Sequence, residues 1–137
     1  MRSLLLALLF AICLTAGVSA QTLEDRNRST IGYILASGTV EDASRRTLGY
    51  INSNGTIEDG SRRTLGYLSK SGTVEDASRR TLGYISSSGT VENASRSTLG
   101  YVNSNGTVEN SSRSTIGYAD DVPAEHAALF FFFFFRK

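Results

Sequence analysis

The chain has 137 residues, room for one domain, with 14 basic against 13 acidic side chains and one cysteine. That balance lacks the basic footprint of a nucleic-acid binder, and acids and bases alternate so closely that neither half is polarised. A lone cysteine excludes a disulfide framework within the chain.

Residues 1–20 read as a secretory signal peptide. Met1-Arg2 supplies a positive start, Leu4 to Ala16 is apolar apart from Thr15, and Val18-Ser19-Ala20 offers small residues for cleavage before Gln21. The run is shorter than the roughly 20 residues that span a bilayer. Ile12 before Cys13 does not suit a lipoprotein signal, and removal of the leader takes the cysteine and Arg2 with it. The expectation is an exported protein, periplasmic or extracellular, without thiol chemistry and with 13 charges of each sign.

Residues 21–118 form a repeat domain. All six tyrosines (Tyr33, Tyr50, Tyr67, Tyr84, Tyr101, Tyr118) stand 17 residues apart, each after a glycine. Gly38, Gly55, Gly72, Gly89 and Gly106 keep the same period, each followed by Thr and then Val or Ile. Within one unit, Thr47–Ile51 and Thr56–Glu58 are rich in strand formers, and Asn54-Gly55 between them is a strong hairpin signal. A loop of two or four residues puts Leu48, Tyr50 and Ile57 on one face, so the tyrosines are assigned to the repeat core. Gly49 and its equivalents, mid-strand in all six copies, point to close approach of another backbone. Asp59 and Ser61 suit a turn into the next unit.

A hairpin alone is marginal in water, so the units must cover one another, in a radial closed array or an open solenoid. Radial closure is favoured. The array begins with half a unit (Thr22-Leu23-Glu24-Asp25) and ends with the complementary half (Thr115-Ile116-Gly117-Tyr118). Pairing them removes the free edges. The fold class expected is all-β: a radial closed array of five 17-residue β-hairpin repeats, with a short C-terminal apolar helix or extended tail packed into its centre. Five hairpin turns stand beside six Gly-Tyr pairs, so pairing of the two halves as a full unit would make the symmetry six-fold.

Residues 119–137 are a C-terminal Phe-rich tail. Ala119-Asp120-Asp121-Val122-Pro123 reads as a helix start, followed by about three turns. Phe130, Phe131, Phe132, Phe133, Phe134 and Phe135 run unbroken into Arg136-Lys137. Burying six such rings is worth on the order of 9–18 kcal/mol as an upper bound, and leaving them in water invites aggregation. The first reading is a plug in the middle of the array. A membrane or sorting tail is the second, although the apolar stretch is too short to span, and an oligomer or partner contact is the third.

Little points to chemistry. His126 has no second ligand or nucleophile beside it and reads as a helix-surface or cap residue. The carboxylate pairs Glu41-Asp42, Glu58-Asp59 and Glu75-Asp76 give way to Glu92-Asn93 and Glu109-Asn110, as turn residues would. Glu41, Glu58, Glu75, Glu92 and Glu109 against Arg45, Arg62, Arg79, Arg96 and Arg113 suggest a salt-linked ladder, each pair worth under about 1 kcal/mol. Asn27, Asn54, Asn93, Asn105 and Asn110 head Asn-x-Ser/Thr triplets that follow from the repeat. No metal site, cofactor or catalytic residue is expected. The partner classes left are a glycan or other cell-envelope component, with no nucleic acid.

The unit Gly-Tyr-Ile-x-Ser-x-Gly-Thr-Val-Glu-Asp-x-Ser-x-x-Thr-Leu, joined to a C-terminal Ala-Ala-Leu-Phe-Phe-Phe run, resembles the five-fold β-flower proteins. The resemblance covers Gln21 to the Phe run. It implies a small exported bacterial protein of a kind found mainly in Bacteroidota, with five hairpin petals around a pseudo-five-fold axis. It carries no activity and no catalytic residues. The function expected is a non-enzymatic exported structural or binding module associated with the cell envelope. The alternative is a membrane- or surface-attached protein held through the Phe-rich tail.

Overall fold

The structure, a computed structural model, describes residues 21–136. The signal peptide expected over residues 1–20 lies outside them. Each unit contributes a five-residue and a four-residue strand, as in β4 (Thr47–Ile51) and β5 (Thr56–Asp59). Twelve strands, from β1 (Thr22–Asp25) to β12 (Thr115–Asp120), pair antiparallel with their sequence neighbours, and β1 pairs with β12 to close a barrel. The join repeats the hairpin register: Gly117↔Asp25, Tyr118↔Glu24 and Ala119↔Leu23 match Gly49↔Asp59, Tyr50↔Glu58 and Ile51↔Ile57. Five units are hairpins joined by their own turns, and the sixth is assembled from the two ends of the array. The five-fold count is thereby corrected to six around the ring.

Loop geometry decides which face points inward. Asn52 N–H donates to the Thr56 carbonyl (2.9 Å) and Gly55 N–H to the Asn52 carbonyl (2.9 Å), which leaves a three-residue loop, Ser53-Asn54-Gly55. Gly55 sits at φ +93°, the left-handed position that ends this turn. An odd loop reverses the parity that two or four residues would impose. Gly49, Ile51 and Ile57 face the lumen, while Tyr50 and Glu58 face out. The assignment of Tyr33, Tyr50, Tyr67, Tyr84, Tyr101 and Tyr118 to the core is therefore corrected: all six are half-buried on the outer wall.

Leu48 does not follow the tyrosine. Between β3 (Thr39–Asp42) and β4, Val40 pairs with Gly49 but Glu41 pairs with Thr47, so a bulge leaves Leu48 as the extra residue. It turns toward the lumen with Gly49, and Ile31, Leu48, Leu65, Leu82, Leu99 and Ile116 all pack against the core. The next unit begins through the same loop geometry. Arg62 N–H donates to the Asp59 carbonyl and Asp59 N–H to the Arg63 carbonyl, with Arg62 at φ +69°.

Twelve strands about 4.8 Å apart close to a radius of roughly 9 Å, too wide for Val, Ile and Gly side chains to fill. The tail fills it. After β12 the chain turns back at Asp121 (φ +56°), and Pro123 leads into α1 (Ala124–Ala128). The helix continues in π-helical form over Leu129–Phe134. Ala127, Ala128 and Leu129 are fully buried against the ring of Leu23, Val40, Ile57, Val74, Val91 and Val108, also fully buried.

Candidate functional site

Three regions hold what chemistry the barrel offers: the lumen, the outer wall and the two loop ends. In the lumen, a Cβ built on each mid-strand glycine would meet a different phenylalanine. Phe130 lies at Gly32 (3.2 Å), Phe131 at Gly117 (2.6 Å), Phe132 at Gly100 (2.6 Å), Phe133 at Gly83 (2.9 Å), Phe134 at Gly66 (2.7 Å) and Phe135 at Gly49 (2.8 Å). Each step along the tail advances one unit around the barrel, and Gly32, on β2 (Thr30–Ile34), neighbours Gly117 through β1, which lies between β12 and β2. Four neighbouring ring pairs also meet, among them Phe130–Phe131 with centroids 5.5 Å apart and Phe130–Phe135, the two ends of the run, at 6.3 Å. One unit per residue is a sixth of a turn, against about 100° in an α-helix. The wider π-helical winding moves the step in that direction, and Arg136 N–H reaches the Phe130 carbonyl (3.0 Å) across six residues.

Phe130 and Phe131 are buried and Phe132 to Phe135 half-buried. Arg136 lies beyond the aromatic ring, donating from Nη1 to the Ile116 carbonyl (3.2 Å) with its guanidinium 5.1 Å from the Phe131 centroid. The same glycines also pass close to the barrel's own backbone, since a Cβ on Gly49 would collide with the Glu58 carbonyl. A wall without side chains at this level serves the strand packing and the tail at once.

On the outer wall the same three side chains meet six times. The Arg62 guanidinium lies 3.6 Å from the Tyr50 ring centroid and donates to Glu58 Oε1 (2.9 Å), and Tyr50 and Glu58 are cross-strand partners. Arg28, Tyr118 and Glu24 build the identical cluster across the closure, at 3.5 and 2.9 Å. The six arginines hold a left-handed backbone at φ 68–70° that a side chain ordinarily avoids. A cation–π contact and a charge-assisted hydrogen bond offset that strain. The Glu and Arg columns are joined within units rather than from unit to unit, so the expected ladder is six separate pairs. Asn52 beside Glu58, ahead of Arg62, holds that carboxyl below its usual range, and Asn103 and Arg113 do the same for Glu109.

The Asp59 side chain shapes the Arg-bearing turn. Its Oδ1 accepts from Ser61 N–H (2.8 Å) and Arg63 N–H (2.9 Å), and its Oδ2 from Arg63 Nε (3.2 Å). The backbone bond from Arg63 is the leading cause holding this carboxyl below the ordinary aspartate range, and Asp42 and Asp76 are held down in the same way. Asn93 accepts the same two backbone bonds from Ser95 and Ser97. An amide has no second carboxylate oxygen for an arginine, and Ser97 and Ser114 stand where Arg63 would be. The change from Glu-Asp to Glu-Asn along the chain therefore leaves the turn intact.

The Gly-bearing loop end carries open clefts beside the tail's entry. One of about 390 Å³ is lined by residues that include Asn103, Asn105, Asp120, Asp121 and Val122. Another, of about 180 Å³, includes Asn52, Asn54, Lys70, Glu125 and His126. Burial pushes the His126 imidazole below its ordinary value. Among the described residues no group of three His, Cys, Asp or Glu is placed to hold a metal ion, and no helix is long and apolar enough to cross a membrane.

The sequence-predicted residues thus separate. The six phenylalanines converge in the lumen, the six tyrosines face outward, and each tyrosine ring is covered by an arginine, five of which sequence reasoning placed only in a charge ladder while Arg28 over Tyr118 was not singled out. A signal for the aromatic ring was present, because six Phe follow six Gly-Tyr pairs. A family model described as 5-fold beta-flower protein matches residues 20–135. No curated protein and no solved structure matches the chain.

Proposed function

The chain belongs to the 5-fold β-flower family, and on that premise we propose that it is a non-enzymatic, exported structural or binding module of the cell envelope. The observation that carries this reading is the occupied lumen. A barrel filled by its own tail leaves the outer wall and the loop ends to meet a partner, and the wall repeats one Tyr–Arg–Glu cluster six times. A repeated surface suits a repeated ligand, which makes a glycan or another polymeric envelope component the partner class. The Arg62-type guanidinium covers one face of each tyrosine, so contact with sugar hydroxyls falls to the arginine and glutamate groups rather than to ring stacking. The charged wall does not suit lipid, which a membrane barrel meets with an apolar band.

Attachment through the tail is the second reading. It requires Phe130 to Phe135 to leave the lumen and uncover the glycine belt. A titration against envelope glycans and peptidoglycan fragments tests the first reading, with Arg45, Arg62 and Arg79 together changed to Ala as the comparison. Binding that weakens at least tenfold in the variant supports the outer wall as the site. Absence of any binding at millimolar ligand rejects the repeated-site reading.

A further inference from the structure

Each of the six units around the ring carries one mid-strand glycine, and nothing in β-barrel geometry by itself requires the length of the Phe run to equal the number of units, yet the six rings meet the six glycines in one-to-one order. We propose that the Phe run is a gauge of closure: the number of consecutive aromatic residues selects how many 17-residue units the barrel closes with. The physical basis is that each slot is complete only when a glycine and a ring meet there. One unit too few leaves a ring without a slot, which must turn into its neighbours or into water. One unit too many leaves a gap in the aromatic circle beside a glycine that has no side chain to fill it.

Three features support the gauge. The two ends of the run meet, since Phe130 and Phe135 lie in adjacent slots with centroids 6.3 Å apart. The backbone of the run abandons α-helical winding for a wider turn, and its closing bond spans the six residues from Phe130 to Arg136. The matching family model is described as five-fold, whereas this chain closes with six units. The β12–β1 join uses the same register as every hairpin and would do so in a smaller or larger ring, so register alone does not favour six units over five or seven.

The test is matched and mismatched deletion. Removing residues 69–85 deletes one whole unit, joining Leu68 to Ser86 in the same loop register and taking away the Gly83 slot. Removing Phe133 shortens the gauge by one. Each single deletion is expected to lower the thermal midpoint by about 10 °C or more, or to abolish cooperative unfolding. The double deletion is expected to recover a cooperative transition above both. The converse pair, a seventh unit with and without a seventh Phe, guards against a five-unit ring too small to hold any tail. A matched chain that melts above its mismatched partners in either series supports the gauge. Mismatched chains as stable as matched ones in both series, or no matched chain that folds, would overturn it.

Discussion

The two faces of a single strand solve opposite problems. On the lumen side of β4, Gly49 contributes no side chain and depends on Phe135, delivered from 86 residues further along the chain. On the outer side, Tyr50 finds both of its partners, Glu58 and Arg62, within twelve residues. The inner face is thus cooperative, because six rings share one circle and one helix. The outer face is modular, because each cluster is complete in itself and occurs six times. Damage should spread inside the barrel and stay local outside it.

Removal of Leu129 to Lys137 is the most severe way to break that contrast. It empties the lumen and uncovers a belt of glycines with no alternative filling. The expected loss is comparable to the whole stability of a small domain, about 5–15 kcal/mol. Circular-dichroism melts should lose their cooperative transition, and a dye that binds exposed apolar surface should light up. A truncated protein that melts as sharply as the full chain would place the lumen's stability elsewhere.

Gly66→Ala is the next largest change. The new methyl meets the Glu75 carbonyl and lies 2.7 Å from Phe134 Cζ, so wall and tail must both yield. A cost of about 1–3 kcal/mol or more is expected in urea unfolding. Gly60→Ala is its counterpart on the outside. The methyl would lie 3.2 Å from the Thr47 carbonyl, and Ala43, Ala77 and Ala94 already occupy the equivalent position. That change should be neutral or stabilising by up to about 1 kcal/mol.

Arginine in the left-handed position sharpens the comparison. Arg62→Ala removes the contacts with Tyr50 and Glu58 and keeps the strained backbone, at a cost of about 1–2 kcal/mol. Arg62→Gly removes the same contacts but relieves the strain, worth about 1 kcal/mol, and should be measurably less damaging. If the two variants unfold at the same denaturant concentration, the left-handed backbone carries no strain for the side-chain contacts to offset.

The smallest effect expected is the pH dependence of the Arg-bearing turns. Asp42, Asp59 and Asp76 have carboxyl groups held below the ordinary aspartate value of about 3.9, mainly by backbone N–H groups. The unfolded chain therefore takes up protons first on acidification. This contribution is complete above the ordinary value and is lost as pH falls through the lowered one. Changing all three to Asn, as at positions 93 and 110, should flatten the fall in urea-unfolding stability that sets in below the ordinary aspartate value. An unchanged slope would assign the acid sensitivity to other groups.

Much of this architecture was legible in the chain. The 17-residue period located every strand, the complementary halves at Thr22 and Thr115 pointed to closure, and Asp59 with Ser61 announced the turn. Facing was not legible, because it hangs on one residue of loop length and one bulge. Asn-Gly suits a two-residue hairpin as well as the three-residue loop found here, and the bulge at Leu48 has no signature of its own. Arg62 hid its role because arginine rarely takes a positive φ, and only the assembled Tyr50–Glu58 pair makes that conformation tolerable. The match of rings to slots needed the closed ring before equal counts acquired a meaning.

The most direct test of the account is nuclear Overhauser contact between assigned Phe rings and glycine α-protons in the full chain. The account predicts six separate contacts in descending order, with Phe131 at Gly117, Phe132 at Gly100, Phe133 at Gly83, Phe134 at Gly66 and Phe135 at Gly49, and Phe130 at Gly32. Rings that contact no glycine, or that contact several indiscriminately, would contradict it.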